Sequence, residues 1–505
     1  MIPSTPPSLP PASEAPRESL LVFSDVHLGS DLNDRGVSAK RSLGVDRDLV
    51  DLLRYYANVQ PRGERWRVVI AGDLIDFIGM TLVEDEARLS TDLTEEERAH
   101  GLGSAPDHAR VKLRRVIERH GDVFDALAQV LARGHALTVV HGNHDVELHW
   151  DEVKRDFRDE LVSRACRDFP HVDAASIGSR VEFEPWFFYR EGVAYIEHGH
   201  QYDAYCANDH VMAPLSPLDP RRLMRGFSSI LLRYVVRPTA GMKEHGHETM
   251  GVFDYIGFGL ALGMRGIAQL LSRFVRAIVE LFRLRKAHLS EAFEALKEEH
   301  ERRLTRFAKR RRIGIGRLRK LLALQVPPVT RTVQGILGSL FLDRIGLVLL
   351  TALVLAVVAI FVPGKGPMAG AASATLLVSL GFHRYFAQLR KLDPADEMVA
   401  RARHLVNVLP AAFVVMGHTH VPADRELAGS RARYINLGSW AEEEHDASTE
   451  HPYRAARTHL VIEVDRGGVP VAELRAWSEA HGPRKYESNE HEGFGDDRPL
   501  SPPLA

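Results

Sequence analysis

The sequence predicts an α/β protein whose two sheet-forming parts are separated by a long helical segment. Three observations carry this. Short, continuous apolar runs recur up to about residue 205 and again after about residue 400, each followed closely by Asp, His or Asn. Amphipathic stretches with helical spacing alternate with the early runs, which is a βαβ pattern. Between the two parts, residues 211–400 show helical spacing and contain 20 consecutive residues without a charge, Ile345 to Gly364.

The apolar runs are Leu20-Leu21-Val22-Phe23, Val68-Val69-Ile70-Ala71, Leu137-Thr138-Val139-Val140, Val193-Ala194-Tyr195-Ile196 and Phe413-Val414-Val415-Met416. Runs of this kind read as strands buried on both faces. They lead into Asp25-Val26-His27, Gly72-Asp73 with Asp76 three residues on, Gly142-Asn143-His144-Asp145, His198-Gly199-His200 and Gly417-His418-Thr419-His420. Ligands of such sheets gather beyond the carboxyl ends of the strands. Five strand ends thus bring Asp, His and Asn to one rim, and that composition reads as a metal site.

A chain of 505 residues exceeds one ordinary domain and can bury a large core. Its two cysteines, Cys166 and Cys206, exclude a disulfide framework and suit a reducing compartment. Neither has a metal-like Cys spacing, so both read as small buried apolar residues. The formal net charge of −2 conceals an asymmetry. From Val211 to Lys391 there are 29 Lys and Arg against 11 Asp and Glu, which leaves 36 against 56 of the totals of 65 and 67. A basic block inside an acidic protein implies an anionic partner, either a membrane surface or nucleic acid.

Residues 1–17 are rich in Pro and Ser, with no apolar core or basic start, and read as a disordered tail rather than a secretory signal. Residues 18–210 form the first part of the core. Leu49, Leu52, Leu53 and Tyr56 share a helical face, residues 84–106 read as an acidic surface loop, and helices are expected around Ala109–Arg119 and Val123–Arg133.

Residues 211–400 form a basic helical insert. Around Ile267–Leu284, Leu270, Leu271, Phe274, Ile278, Leu281 and Phe282 oppose Arg273, Arg276, Glu280 and Arg283. An interfacial helix is the preferred reading, and a helix packed on the protein's own core is the alternative. A charged helix follows, ending in Lys309-Arg310-Arg311-Arg312, where contact with anionic lipid is expected. Of the residues from Ile345 to Gly364, 13 are Leu, Ile, Val or Phe. Together they favour membrane insertion by roughly 4–8 kcal/mol as an upper bound. A turn at Pro363–Pro367 leads into a second uncharged stretch, Gly366–His383, in which Gly366, Gly370 and Ala374 have a close-packing spacing.

Residues 345–383 therefore read as a membrane hairpin. An even number of crossings is required, because strand ends from both sides of the insert must meet at one site. Arg317, Arg319, Lys320, Arg384, Arg390 and Lys391 flank the open end and place it, with the catalytic part, in the cytoplasm. Residues 401–481 complete the core, with strands near His459–Val464 and Val471–Trp477, and residues 482–505 read as a disordered tail.

The five clusters, in this order, resemble those of the calcineurin-like metallophosphoesterase superfamily. The resemblance covers residues 19 to about 205 and about 400 to 480, and it implies two packed β-sheets flanked by helices. Tyr202 and Asp203 after the fourth cluster are similar to the branch of UDP-2,3-diacylglucosamine pyrophosphohydrolases, with His144 where many of that branch carry arginine. By resemblance, Asp25, His27 and His420 hold one divalent ion, Asn143, His198 and His418 hold a second, and Asp73 bridges both. His144 is then the catalytic acid, and Asp76 orients its imidazole. The implied reaction is in-line attack on phosphorus by a metal-bridging hydroxide. Asp145, His200, Tyr202 and Asp203 are expected to support the ligands or touch substrate.

The donor set of carboxylate, imidazole and amide, with no thiolate, suits Mn²⁺ first, and Fe or Zn²⁺ as alternatives. The leading reading is a two-metal phosphoesterase or pyrophosphatase at the cytoplasmic membrane face, with a lipid-linked phosphate as a possible substrate. A nucleotide or nucleic-acid phosphodiesterase with a polyanion-gripping insert is the second reading, disfavoured by the uncharged segment. A membrane scaffold without activity is the third.

Overall fold

The computed structural model describes residues 18–34, 43–59, 65–239, 252–340, 342–388, 394–441 and 457–486. The tails at residues 1–17 and 487–505, together with Arg390 and Lys391, lie outside them. In chain order the strands are β1 (Glu18–Phe23), β2 (Arg65–Ala71), β3 (Ala136–Val140), β4 (Val181–Glu184), β5 (Phe187–Arg190), β6 (Ala194–Glu197), β7 (Phe413–Met416), β8 (Ala423–Glu426), β9 (Arg433–Asn436), β10 (Thr458–Val464), β11 (Pro470–Ser478) and β12 (Gly482–Lys485). They form two sheets, ordered β12-β11-β10-β1-β2-β3-β4 and β5-β6-β7-β9-β8. Neighbours from β1 to β4 are parallel, as are β6–β7 and β7–β9.

The continuous apolar runs follow from burial on both sides. Along β1, Leu21 and Phe23 face one core, while Leu20 and Val22 face another that also holds Ile196, Val415 and Ile435 of the second sheet. Successive side chains of a strand point to opposite faces, so a strand between two cores must be apolar at every position. The two sheets therefore pack face to face.

Before the insert the helices are α1 (Leu43–Asn58), α2 (Glu95–His100), α3 (Pro106–Arg119), α4 (Gly121–Ala132), α5 (Asp151–Asp168) and α6 (Ala174–Ser179). The predicted face of α1, with Leu49, Leu52, Leu53 and Tyr56, joins α3, α4 and α5 on the outer face of the first sheet. The stretch read as an acidic surface loop contains α2, which carries a Thr94–Glu97 capping box and buries Glu97. Gly482–Lys485, read as the start of a disordered tail, pairs with β11 instead.

The later helices are α7 (Phe227–Leu231), α8 (Val252–Ala287, kinked at Gly263), α9 (Glu291–Arg311), α10 (Ile315–Leu322), α11 (Val333–Ser339), α12 (Leu342–Phe361), α13 (Lys365–Gln388) and α14 (Pro394–Val408). Leu304, Phe307, Leu318 and Leu321 of α9 and α10 join Met398 and Leu405 of α14 on the outer face of the second sheet. Part of the insert is thus a layer of the core. Helix α8 answers to both readings of its pattern. Ala277, Leu281 and Leu284 pack on Phe227, Ile230 and Ile336, while Leu271, Val275 and Val279 stand about 60% exposed (61, 58 and 62%).

The basic block is partly matched from within the chain. Arg222 pairs with Glu97, Arg225 and Arg233 with Glu96, Arg310 and Arg311 with Glu184, and Arg331 with Asp209. Of the run expected to meet lipid, Arg310 and Arg311 are engaged with β4.

Helices α12 and α13 pack against each other. By length and composition α12 can cross a membrane, and none of its apolar window is buried. Among the described residues it is the one helix that meets that test, so α13 does not match the expected second span. A Cβ at Gly366 or Gly370 would meet nothing within 4 Å, so these glycines are not where the helices touch. Thr351 and Ser379, which share a hydrogen bond, mark the contact.

Candidate metal centre

The strand ends converge as the sheet geometry requires. Asp25 and His27 follow β1, Asp73 and Asp76 follow β2, Asn143 to Asp145 follow β3, His198 follows β6, and His418 and His420 follow β7. Close approach is possible because glycine stands at several of these exits, Gly72, Gly142 and Gly417 among them. A Cβ on Gly142 would lie 2.0 Å from Asp73 Oδ1, and one on Gly72, at φ +90°, would lie 2.6 Å from the His198 ring.

The backbone itself is unusual here. Among the described residues the non-glycine positions with positive φ are Asp25, His27, Asp73, His418 and His420, with Arg312 and Arg457 elsewhere. Left-handed backbone is uncommon outside glycine and persists where surrounding structure enforces it, typically at functional sites.

Two groups of side chains meet at Asp73. In the first, His420 Nε2 lies 3.2 Å and His27 Nε2 4.0 Å from Asp25 Oδ1. In the second, His198 Nε2 lies 3.1 Å from Asp73 Oδ2 and 3.0 Å from Asn143 Oδ1. Asp73 Oδ2 is also 3.8 Å from His27 Nε2, which sets this carboxylate between the groups. His418 donates its backbone N–H to Asp25, and its ring Nε2 is 3.0 Å from Asp203 Oδ2. Asp25–His27–His420, Asp25–Asp73–His198 and His27–Asp73–His144 each bring their ligand atoms within 4.8 Å of one another.

The electrostatics suit a cation. Burial alone would raise the carboxyl pKa of Asp25, yet the charges of His198 and His420 outweigh it and hold it at about 2. Asp73 and Asp76 are likewise held well down, against burial, by neighbouring imidazoles, His198 first for Asp73 and His144 first for Asp76. His198 is pushed up to about 9 because Asp73 and Asp25 outweigh its desolvation. Buried ionised carboxylates need a positive partner, and here a protonated imidazole serves. A divalent cation fits the same role, and the oxygen and imidazole donors match borderline divalent metals.

The surrounding residues differ in what they touch. His144 Nδ1 lies 2.7 Å from Asp76 Oδ1. Asp145 accepts from Gly142 N–H at 2.6 Å and Leu74 N–H at 2.9 Å, tying two strand exits together. Burial and the charge of Asp73 push its carboxyl up to about 7. His200 is buried, with its ring 5.4 Å from that of His198 and its Nε2 on Gln201. Tyr202 does not reach the centre. The short turn His200–Tyr202 carries it into the core with Tyr195 and Met398.

Two residues went unread in the sequence. Arg237, from the insert, donates to Asp76 Oδ2 at 3.0 Å and to Ser30 O at 3.0 Å, and it is buried. Cys206, read as an apolar residue, has its thiol grouped with Asp203 and His418 within 4.8 Å. No local spacing marks Arg237, and Cys206, three residues after Asp203, meets His418 only through tertiary packing.

No family model matches the chain, and no curated protein does. Among solved structures, phosphopantetheinyl hydrolase (PptH) from Mycobacterium tuberculosis aligns over 86% of this chain and 99% of its own, at 11% identity and a TM-score of 0.21. A likeness this distant carries neither the site nor the activity.

Proposed function

We propose that this chain is a metal-dependent phosphoesterase of the calcineurin-like kind, cleaving a phosphate ester or pyrophosphate bond at the cytoplasmic face of a membrane. One observation carries the reading. Asp25, His27, Asp73, His418 and His420 all hold left-handed backbones around one cluster of buried carboxylates and imidazoles. Such strain has no use in a structural ion-pair network and suits a site that must hold its donors in fixed directions.

The donors divide into Asp25, His27 and His420 for one ion and Asn143, His198 and His418 for the other, with Asp73 shared. Mn²⁺ is the first candidate, with Fe or Zn²⁺ next. Two divalent ions so held supply Lewis acidity toward phosphoryl oxygens and an activated water. The chain's own residues do the rest. Asp76 fixes the His144 ring through Nδ1, which leaves Nε2 to protonate the leaving oxygen. Arg237 and the Gly79 N–H hold both oxygens of Asp76. Asp203 fixes the His418 ring through the other nitrogen, Nε2.

The membrane location is supported by α12 and α13, which leave Leu349, Ile360, Leu377 and Val378 between 59 and 73% exposed. Apolar surface on this scale needs a cover. The exposed stripe of α8 supports contact with the same surface, and Lys309 and Arg312 support anionic lipid as the partner. A polyanion-gripping insert is the weaker reading, since several of its arginines are held by this chain's own carboxylates.

The test is hydrolysis of bis(p-nitrophenyl) phosphate by detergent-purified, Mn²⁺-loaded protein, with metal content measured alongside. About two ions per chain and metal-dependent turnover are expected. Failure to retain metal, or turnover indifferent to chelation, would overturn the reading.

A further inference from the structure

Beside Asn143 a pocket opens between the first part of the core and the start of the insert. Its empty volume, mouth included, is about 550 Å³. Phe77, Leu223 and Met224 give it apolar walls, and its charged lining is Lys112, Arg225, Arg233 and Glu147.

The charges do not balance. Arg225 Nη2 lies 2.7 Å from Glu96 Oε2, and Arg233 pairs with the other oxygen of the same carboxylate. Lys112, fully buried, donates to Phe77 O at 2.8 Å, and the charge of Glu147 acts on it. Three cations thus face two carboxylates. Arg222, three residues before Arg225, pairs with both Glu97 and Asp219 and does not line the pocket. Arg225 and Arg233, which share the Glu96 carboxylate, both face the cavity.

We infer that this pocket receives a second anionic group of the substrate (a phosphate or a carboxylate) while the bond to be cleaved lies at the Asp and His cluster. The inference rests on the phosphoesterase reading and narrows its substrate class. Asn143 belongs to both places, lining the pocket and touching His198. A molecule spanning them carries two anionic centres on either side of Asn143. Guanidiniums suit the outer centre, because their paired N–H groups match the oxygens of phosphate and carboxylate. The apolar walls accept the short linker between the two centres.

The experiment uses three p-nitrophenyl phosphodiesters whose second arm is ethanol, 3-hydroxypropanoate or 2-phosphoethanol. For the full-length Mn²⁺-loaded protein, an anionic arm should lower KM about tenfold relative to the ethyl ester, the worth of one charge-assisted contact. The better of the two anionic arms identifies the group. Arg225→Gln should collapse that KM ratio toward one, whereas Arg221→Gln, exposed and outside the pocket, should preserve it. Should Arg225→Gln fail to fold, Arg225→Lys takes its place, since it keeps a charge beside Glu96 but lacks the paired N–H groups that match an anion's oxygens. Equal KM values for all three esters, or a ratio untouched by Arg225→Gln, would overturn the inference. A readout without turnover separates it from the parent reading: calorimetric binding of inorganic phosphate to the metal-free protein. Arg225→Gln should weaken that binding about tenfold, and Asp73→Asn should not. Absent turnover with this pattern intact would defeat the phosphoesterase reading alone. Phosphate binding indifferent to Arg225 would defeat the pocket.

Discussion

Arg237 donates to Asp76 at 3.0 Å across 161 positions of sequence, and the opposite Asp76 oxygen lies 2.7 Å from His144. The insert therefore reaches the centre through a buried guanidinium. Just before it, the α7 helix passes into a π-turn, Leu232–Val236, of the kind often found at functional sites. Arg237→Met should slow turnover by about 10–100-fold, the range seen when outer partners of a site are removed. KM should change little, and Arg237→Lys should restore part of the rate. A variant that turns over normally would show that Asp76 orients His144 unaided.

Asp73 sits between the two groups of donors at φ 53°. Asn tolerates that backbone better than any other non-glycine replacement, so Asp73→Asn tests charge without straining the fold. The variant should keep its melting temperature, lose most bound metal by elemental analysis, and lose nearly all hydrolysis. Full metal occupancy with normal turnover would remove Asp73 from the centre.

His144 is grouped with His27 and Asp73, yet its ring is held by Asp76. His144→Ala should retain both metals while turnover falls about 10²–10⁴-fold. The loss should be smallest for a nitrophenolate leaving group, which needs no proton. Equal losses across leaving groups of widely different pKa would argue against proton donation.

Glu96 gives a prediction in pH. Burial raises its carboxyl pKa, but the charges of Arg225 and Arg233 outweigh it and hold the group at about 2, below the ordinary 4.5. A depressed folded pKa contributes stability that is present above 4.5 and lost as pH falls toward 2. Hydrogen exchange should show α2 and α7 loosening within that window. Glu96→Gln should flatten the dependence. Loosening of equal depth in the variant would mean that other carboxylates govern it.

Replacing residues 342–383 by a short flexible linker removes the exposed faces of α12 and α13 and no residue of the centre. The shortened protein should no longer sediment with carbonate-washed membranes, and it should still cleave a soluble phosphodiester. Residual attachment through α8 and the basic residues should yield to salt, because screening shortens their reach to anionic lipid. Unfolding of the shortened chain would instead make the two helices part of the soluble core.

The strand ends were legible because burial on both faces leaves an unbroken apolar run, as in Leu20–Phe23, and because Asp, His and Asn follow each run closely. Helix α1 was legible from the spacing of Leu49, Leu53 and Tyr56. Strands β4, β5 and β8 each carry charged residues within their four positions, so no unbroken apolar run marks them. Read alone, the acidic stretch before α3 looked like a surface loop and the arginines of the insert like a surface for an anionic partner. They face each other in the fold, and pairing of that kind has no local signature. The grouping of Cys206 with His418 had no local signature either, because Asp203, three residues before the cysteine, and His418 are 215 positions apart in sequence but 3.0 Å apart at the centre.

The pairing of β6 with β7, which sets Ala194 beside Phe413, has a consequence for assembly. Synthesis delivers Asp25, Asp73, Asn143 and His198 long before His418 and His420. At about 5–20 residues per second, the stretch between the two strands takes on the order of 10–40 s to emerge. Throughout that interval β6 is an open edge on a half-built sheet, a surface prone to wrong pairing. The helices that follow β6 must find their surroundings before the last ligands arrive. A working centre is therefore a late event in the life of each chain, and its presence reports that everything between the two strands has already been completed.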